Sequence, residues 1–170
     1  IVVDSKGILS ESRPDLDVHK TELVTLTNNK NITGSAKDAV KDADVIIGLT
    51  TGGEIPPDFI KEMNSQAIVF ALANPVQEIM PEIAKNAGAT IIATGRSDYA
   101  NQINNVLVFP GLFKGLIQGR QKKVSQKIKI KAAQALASCV SVPTAKKIIP
   151  SVFDANVVPA IVKALADSDQ

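Results

Sequence analysis

Cysteine is almost absent from this 170-residue chain. With Cys139 alone there can be no internal disulfide and no cysteine metal cluster, and the count fits a reducing, cytoplasmic compartment. Aromatic residues are also few, five Phe and one Tyr, which argues against the stacking platforms that hold single-stranded nucleic acid. Charge of neither sign dominates, and a net charge of +2 offers little to a polyanionic partner. There is no apolar run of about 18 residues and no basic, then apolar, leader, so the chain reads as soluble, with neither nucleic acid nor membrane as a partner. What is plentiful is apolar character, 45% of residues, enough to bury one sizeable core.

Apolar runs alternate with helical patterns, the signature of a parallel sheet. Ile1 to Asp4, Asp44 to Thr50, Ala67 to Leu72 and Ala89 to Thr94 read as strands, with Asn105 to Val108 as a further candidate. Helical segments lie between them. Asp17 to Thr27 carries Val18, Leu23, Val24 and Leu26, and Ser35 to Lys41 begins close to a capping box. Pro56 and Pro57 open a helix through Phe59, Ile60 and Met63, and Pro81 opens Glu82 to Ala87, which Gly88 closes. After Pro110 the strand signals fade. Gln126 to Val140 and Val157 to Ala166 carry apolar residues at spacings of three and four, the second after Asp154 as a cap. The opening Ile1-Val2-Val3-Asp4 has no initiator Met and the pattern of a buried parallel strand, so further residues are expected upstream.

Two stretches carry the chemistry. Ala71 to Pro75 (Ala-Leu-Ala-Asn-Pro) and Thr94 to Gly111 each follow a strand candidate, which puts uncharged amides at the carboxyl edge where open α/β sheets bind ligands. The second crowds Asn101, Gln102, Asn104 and Asn105 together. A carboxamide offers donors and an acceptor without charge, so such a cluster can grip carboxylate and hydroxyl oxygens. A surface turn in which the Asn side chains cap their own backbone is the competing reading.

Asp4 ends the first strand candidate, where nucleotide-binding α/β folds place an acid that accepts from the adenine ribose hydroxyls. The glycine-rich turn that goes with such an acid belongs about 20 residues earlier. Thr50-Thr51-Gly52-Gly53 lacks that fingerprint spacing and reads as a loop edging a cofactor cleft. A plain strand-end aspartate remains the alternative for Asp4.

Together, Val-Val-Asp-Ser-Lys-Gly-Ile-Leu, Ala-Leu-Ala-Asn-Pro with Glu78-Ile79 close behind, Ala-Thr-Gly-Arg-Ser-Asp and Asn-Gln-Ile-Asn-Asn-Val-Leu-Val-Phe-Pro-Gly closely resemble the NAD(P)-binding domain of bacterial-type malic enzymes. Ile149-Pro150-Ser151 with Phe153-Asp154 is similar to that family's C-terminal portion. The resemblance implies one such domain over 1–170, with a C-terminal helical segment from about 111. It implies an α/β fold: a Rossmann-like parallel sheet flanked by helices, with C-terminal helices and the first strand of the nucleotide fold missing. The implied activity is oxidative decarboxylation of malate to pyruvate and carbon dioxide, with reduction of NAD or NADP and a divalent Mg or Mn ion. The acid-base groups and metal ligands are expected outside this segment, so that these residues alone are expected to be inactive. A homo-oligomer, dimer or larger, is implied, and an exposed apolar helix face near the C terminus is the expected interface.

By position within the motifs, the resemblance assigns Asn74 to malate and the nicotinamide side of the cofactor, and Asn104 and Asn105 to the substrate carboxylate, with Asn104 also near the cofactor. It assigns Asp4 to the ribose, with Ser5 and Lys6 influencing acceptance of a 2′-phosphate; Thr50 and Thr51 edge the cofactor cleft. Asp4 favours NAD by repelling that phosphate, and Lys6 can offset the repulsion. Gln77, and Ala100 before Asn101, stand where bacterial members often have proline, which bears on loop stiffness. A non-catalytic dinucleotide-binding module and another dinucleotide-dependent oxidoreductase or decarboxylase remain as alternatives.

Remaining residues read as structural. Cys139 lies on an apolar helix face, His19 in a polar segment, and Arg96 with Asp98 as a brace of their loop. Arg120, Lys122, Lys123, Lys127, Lys129 and Lys131 read as a solvated face.

Overall fold

The computed structural model describes residues 1–166; of the domain read over 1–170, residues 167–170 lie outside the described residues. Three strands, β3 (Val45–Gly48), β4 (Ile68–Ala71) and β5 (Ile91–Thr94), form a parallel sheet in the order β3-β4-β5. Their register aligns Gly48, Ala71 and Thr94 side by side, so the strands end on one line. The connections carry α3 (Pro57–Glu62) and α4 (Pro81–Asn86), which with α2 (Ala36–Val40) cover one sheet face. Right-handed crossovers running in one direction across a parallel sheet require that same-side placement. Val40, Ile60, Val69, Ala71 and Ala84 form the centre of this core. The helix ends follow the sequence signals: Asp38 Oδ2 accepts from the Ser35 N–H and hydroxyl, both at 2.7 Å, and Gly88 ends α4 at φ +117°.

The opposite face is covered unevenly. Ala93 on β5 is buried, whereas Val45 and Ile47 on edge strand β3, and Leu49 just past its end, are exposed, Ile47 by 57%. Apolar surface thus accompanies an unpaired strand edge.

Ile1 to Asp4 does not enter the parallel sheet. Only Val3–Asp4 (β1) is extended, and it pairs antiparallel with Gly7–Ile8 (β2). The reversal has a local cause. The Asp4 side chain accepts from the Lys6 N–H at 2.9 Å, Gly7 adopts φ +110°, and a Cβ at Gly7 would collide with the Gly34 carbonyl. The next helix, α1 (Val18–Thr27), forms as expected behind the Asp17 cap, yet it buries only Val24 and leaves Val18, Leu23 and Leu26 exposed.

The last third is helical: α5 (Phe109–Gln118), α6 (Gln126–Ser138) and α7 (Val157–Ala166). Gly111 and Gly115 let α5 approach α7 closely; a Cβ at Gly111 would lie 2.8 Å from Ile161 Cβ. The strand expected at Asn105 to Val108 is instead a 3₁₀ turn, Asn105–Leu107, because Asn104 caps it and Phe109-Pro110 begins a helix. Asp154 closes the turn ahead of α7 rather than capping the helix itself: its Oδ1 accepts from the Asn156 N–H at 2.9 Å.

Candidate functional site at the carboxyl edge of the sheet

Because Gly48, Ala71 and Thr94 are in register, the loops that follow them leave the sheet together. The first carries Thr50 and Thr51, and the second Asn74; all three residues are exposed. The Asn74–Pro75 peptide is cis. After β5 the chain makes an excursion and returns: Gln102 bridges Thr94 in parallel, and the Ile103 N–H donates to the Thr94 carbonyl at 2.8 Å. That return brings the exposed Asn104 and Asn105 back to the edge. Asn104 also caps its own turn, with Oδ1 accepting from the Val106 N–H at 3.0 Å.

Asn101 behaves differently from its neighbours. It is buried and sits at φ +58°, a region Asn tolerates better than most residues. Its Nδ2 donates to the Ile92 carbonyl at 3.0 Å and the Ala145 carbonyl at 2.8 Å, and its Oδ1 accepts from the Ile148 N–H at 2.9 Å. The amide cluster therefore divides into one internal brace, Asn101, the half-buried Gln102 at the bridge to β5, and the exposed pair Asn104 and Asn105. Arg96 braces the excursion itself, with Nε donating to Asp98 Oδ1 at 2.7 Å and its guanidinium 5.7 Å from the Tyr99 ring centroid.

Beneath the first two loops lies Glu78, fully buried. Its Oε1 accepts from the Thr50 N–H at 2.9 Å and its Oε2 from the Ala73 N–H at 3.0 Å. The carbonyls of Gln77 and Glu78 accept from the Gly53 and Ile55 N–H groups, each at 3.1 Å. Gln77 is thus part of an internal strap, and its buried Oε1 has no partner among the described residues. The sequence did contain a signal for Glu78. It is the first charged residue after Glu62 in a long uncharged apolar stretch, where burial requires dedicated donors.

Asp4 stands apart, in the β1–β2 turn, and is not open. Arg13 Nη1 donates to Oδ1 at 2.7 Å, and Lys20 Nζ donates to Oδ2 at 2.6 Å. The Arg13 guanidinium, followed by the Lys20 ammonium, holds the Asp4 carboxyl well below the usual carboxylate range. Lys6 points instead to Asp15, at 2.9 Å. The offset of the Asp4 charge expected from Lys6 therefore comes from Arg13 and Lys20, which the sequence reading missed. Ser5 and Lys6 are exposed.

A cleft of about 450 Å³ flanks the third loop, between Tyr99, Gln102 and Val106 on one side and Lys147 and Phe153 on the other. Asn104 and Asn105 are not among its lining residues. Cys139 is half-buried against the α6–α7 core; burial pushes its thiol up, away from the nucleophilic thiolate. His19 is exposed. Among the described residues no group of three or more His, Cys, Asp or Glu side chains could hold a metal ion. The donor set for Mg or Mn is therefore not assembled by them.

The chain matches known proteins over nearly its whole length. Residues 1–166 match the family described as malic enzyme, NAD binding domain. The chain belongs to the malic enzyme family, as its NAD-binding domain. It is 44% identical to the bifunctional malic/malolactic enzyme of Bacillus subtilis, covering 98% of this chain and 41% of that protein. It is 40% identical to the NAD-dependent malic enzyme of Geobacillus stearothermophilus, covering 99% and 35%. The crystal structure of the NAD-dependent malic enzyme from Thermotoga maritima superposes with a TM-score of 0.91 at 41% identity, over 96% of this chain and 44% of that one. The chain thus spans less than half the length of these malic enzymes. The parallel α/β fold expected for a malic enzyme NAD-binding domain is the one observed.

Proposed function

We propose that this chain supplies the dinucleotide site and part of the malate site of a malic enzyme that converts malate to pyruvate and carbon dioxide while reducing NAD or NADP. The observation that supports this reading is the register-aligned edge, from which the loops carrying Asn74 and, after the Gln102 bridge, Asn104 and Asn105 depart. The exposed hydroxyls and amides there fit a neutral grip on a dinucleotide and a small acid. Thr50, Thr51, Asn74 and Asn104 face the cofactor cleft; Asp4, Ser5 and Lys6 take the ribose end.

A dinucleotide held by Thr50, Thr51, Asn74 and Asn104 would supply the acceptor for the hydride leaving malate C2. The carboxamides of Asn104 and Asn105 donate to the substrate carboxylate, fixing which face of C2 is presented. Asn74 donates to the oxygen on which charge builds as the carboxylate leaves. An amide suits that task because it stabilises developing charge without a proton change of its own.

The protein is placed in the cytoplasm, in keeping with its single cysteine. Among the described residues no helix is long and apolar enough to cross a membrane. A homo-oligomer, dimer or larger, is supported by Phe109, Phe113 and Ile117, exposed one turn apart along α5.

Asn104 and Asn105 are each replaced by alanine in the full-length protein to test the assignment. Malate turnover should fall at least ten-fold per site, the cost of a lost charge-assisted bond, while dinucleotide affinity survives in Asn105→Ala, the one of the two that faces the substrate alone. Equal loss of both would mean that the pair holds the fold and not the substrate.

A further inference from the structure

We propose that Glu78 is a positioning residue for this reaction, its one carboxylate fixing the cofactor-side loop at Thr50 and the substrate-side loop at Ala73-Asn74 in a set relation to each other. The inference rests on the assignment of Asn74 and Thr50 given above and adds a residue that no motif role covers. Glu78 is 0% exposed, so it touches neither substrate nor cofactor and is not a catalytic residue.

The geometry is specific to that task. One oxygen accepts from the loop after β3 and the other from the loop after β4, at 2.9 and 3.0 Å. A carboxylate gives each of the two converging N–H donors an oxygen of its own and presents no donor to either. Room for it is reserved by Gly48, where a Cβ would fall 2.6 Å from Glu78 Cδ. The rest of the strap does not depend on the side chain, because the Gly53 and Ile55 N–H groups bond to backbone carbonyls. Removing the carboxylate therefore loosens the two loop bonds nearest the site and leaves the strap in place.

Glu78→Gln keeps the volume but turns one acceptor into a donor that faces an N–H group, so one loop must let go. In the full-length protein, KM for malate and the dissociation constant for the dinucleotide should both rise on the order of ten-fold, with circular dichroism unchanged. Repeating the change in an Asn74→Ala background separates positioning from plain stability. There Glu78→Gln should add little to the malate KM, yet still weaken dinucleotide binding through Thr50. Full additivity for malate, or a lowered melting temperature with both constants unchanged, would overturn the proposal. If Asn74→Ala leaves malate binding intact, the substrate assignment of Asn74 fails by itself, and the dinucleotide constant alone decides on Glu78. Should Glu78→Gln not fold, amide hydrogen exchange of the unaltered protein decides. The Thr50 and Ala73 amides should then share one opening free energy and slow together on adding NAD; independent exchange would overturn the coupling.

Discussion

The loop after β4 is tied down by an acid and the loop after β5 by an amide, and the choice follows from what each must hold. Glu78 meets two N–H donors, from Thr50 and Ala73, and a carboxylate only accepts. Asn101 meets two carbonyls, Ile92 and Ala145, and one N–H, that of Ile148, and only a carboxamide offers donors and an acceptor together. In both cases the bracing residue lies a few positions from the exposed asparagines proposed above to meet a ligand. Burial, and not residue type, divides the bracing amide from the exposed ones here.

Exchanging the polarity of a brace should break this scheme most severely. Asn101→Asp turns an oxygen towards two carbonyl oxygens and abandons both donated bonds, while the positive φ and the volume are kept. A loss on the order of 3 kcal/mol is expected, since buried carbonyls left unpaired carry their full desolvation cost. Denaturant unfolding with an unchanged slope would measure it. A loss under about 0.5 kcal/mol, the level of an ordinary surface change, would show that Asn101 is not a brace.

The same two loops differ in how much space they leave, which gives a smaller contrast. Gly48→Ala drives a methyl into Glu78, whereas a Cβ at Gly95 would meet nothing closer than the Ile103 carbonyl at 3.8 Å. Gly48→Ala should therefore cost about 1–3 kcal/mol, the usual cost of overpacking, and also raise the malate KM. Gly95→Ala should be close to neutral in both measurements. Equal effects would mean that the Glu78 carboxylate shifts without consequence.

Much of this architecture was readable from the chain. The three parallel strands and the helices opened by Pro57 and Pro81 follow from short apolar runs bounded by proline and glycine, and the chain folds them as read. Ile1 to Asp4 shows the limit. A run of β-branched residues cannot tell a sheet strand from a hairpin arm, and the Asp4 side chain bonded to the Lys6 N–H decides for the hairpin. The exposed Asn74, Asn104 and Asn105 were legible because they sit in motifs. The brace roles of Glu78 and Asn101 were not, because an isolated acid in an uncharged stretch signals burial but not which donors it meets, and the partners lie far along the chain, 28 residues for Glu78 with Thr50 and 47 for Asn101 with Ile148.

A third turn, Asp4 to Gly7, is held neither by a buried acid nor by a buried amide but by ion pairs near the surface, and it should give the smallest effect. Arg13 and Lys20 depress the Asp4 carboxyl, and Arg13 with Lys6 does the same to Asp15. A depressed carboxyl contributes stability that is complete above its unfolded pKa, near 3.9, and is lost as the pH falls through and below that value. Asp4→Asn should accordingly lower the melting temperature slightly at pH 7, and the difference should close towards pH 3, where the unaltered protein has begun to lose the same contribution. High salt at pH 7 should narrow it as well, because ion pairs near the surface are partly screened. The variant also uncovers the Arg13 and Lys20 charges beside the proposed ribose end, so the affinity for NADP should rise relative to that for NAD. If the melting difference persists in high salt while the dinucleotide ratio stays fixed, Asp4 acts through its bond from the Lys6 N–H, and charge at this turn plays no part in cofactor choice.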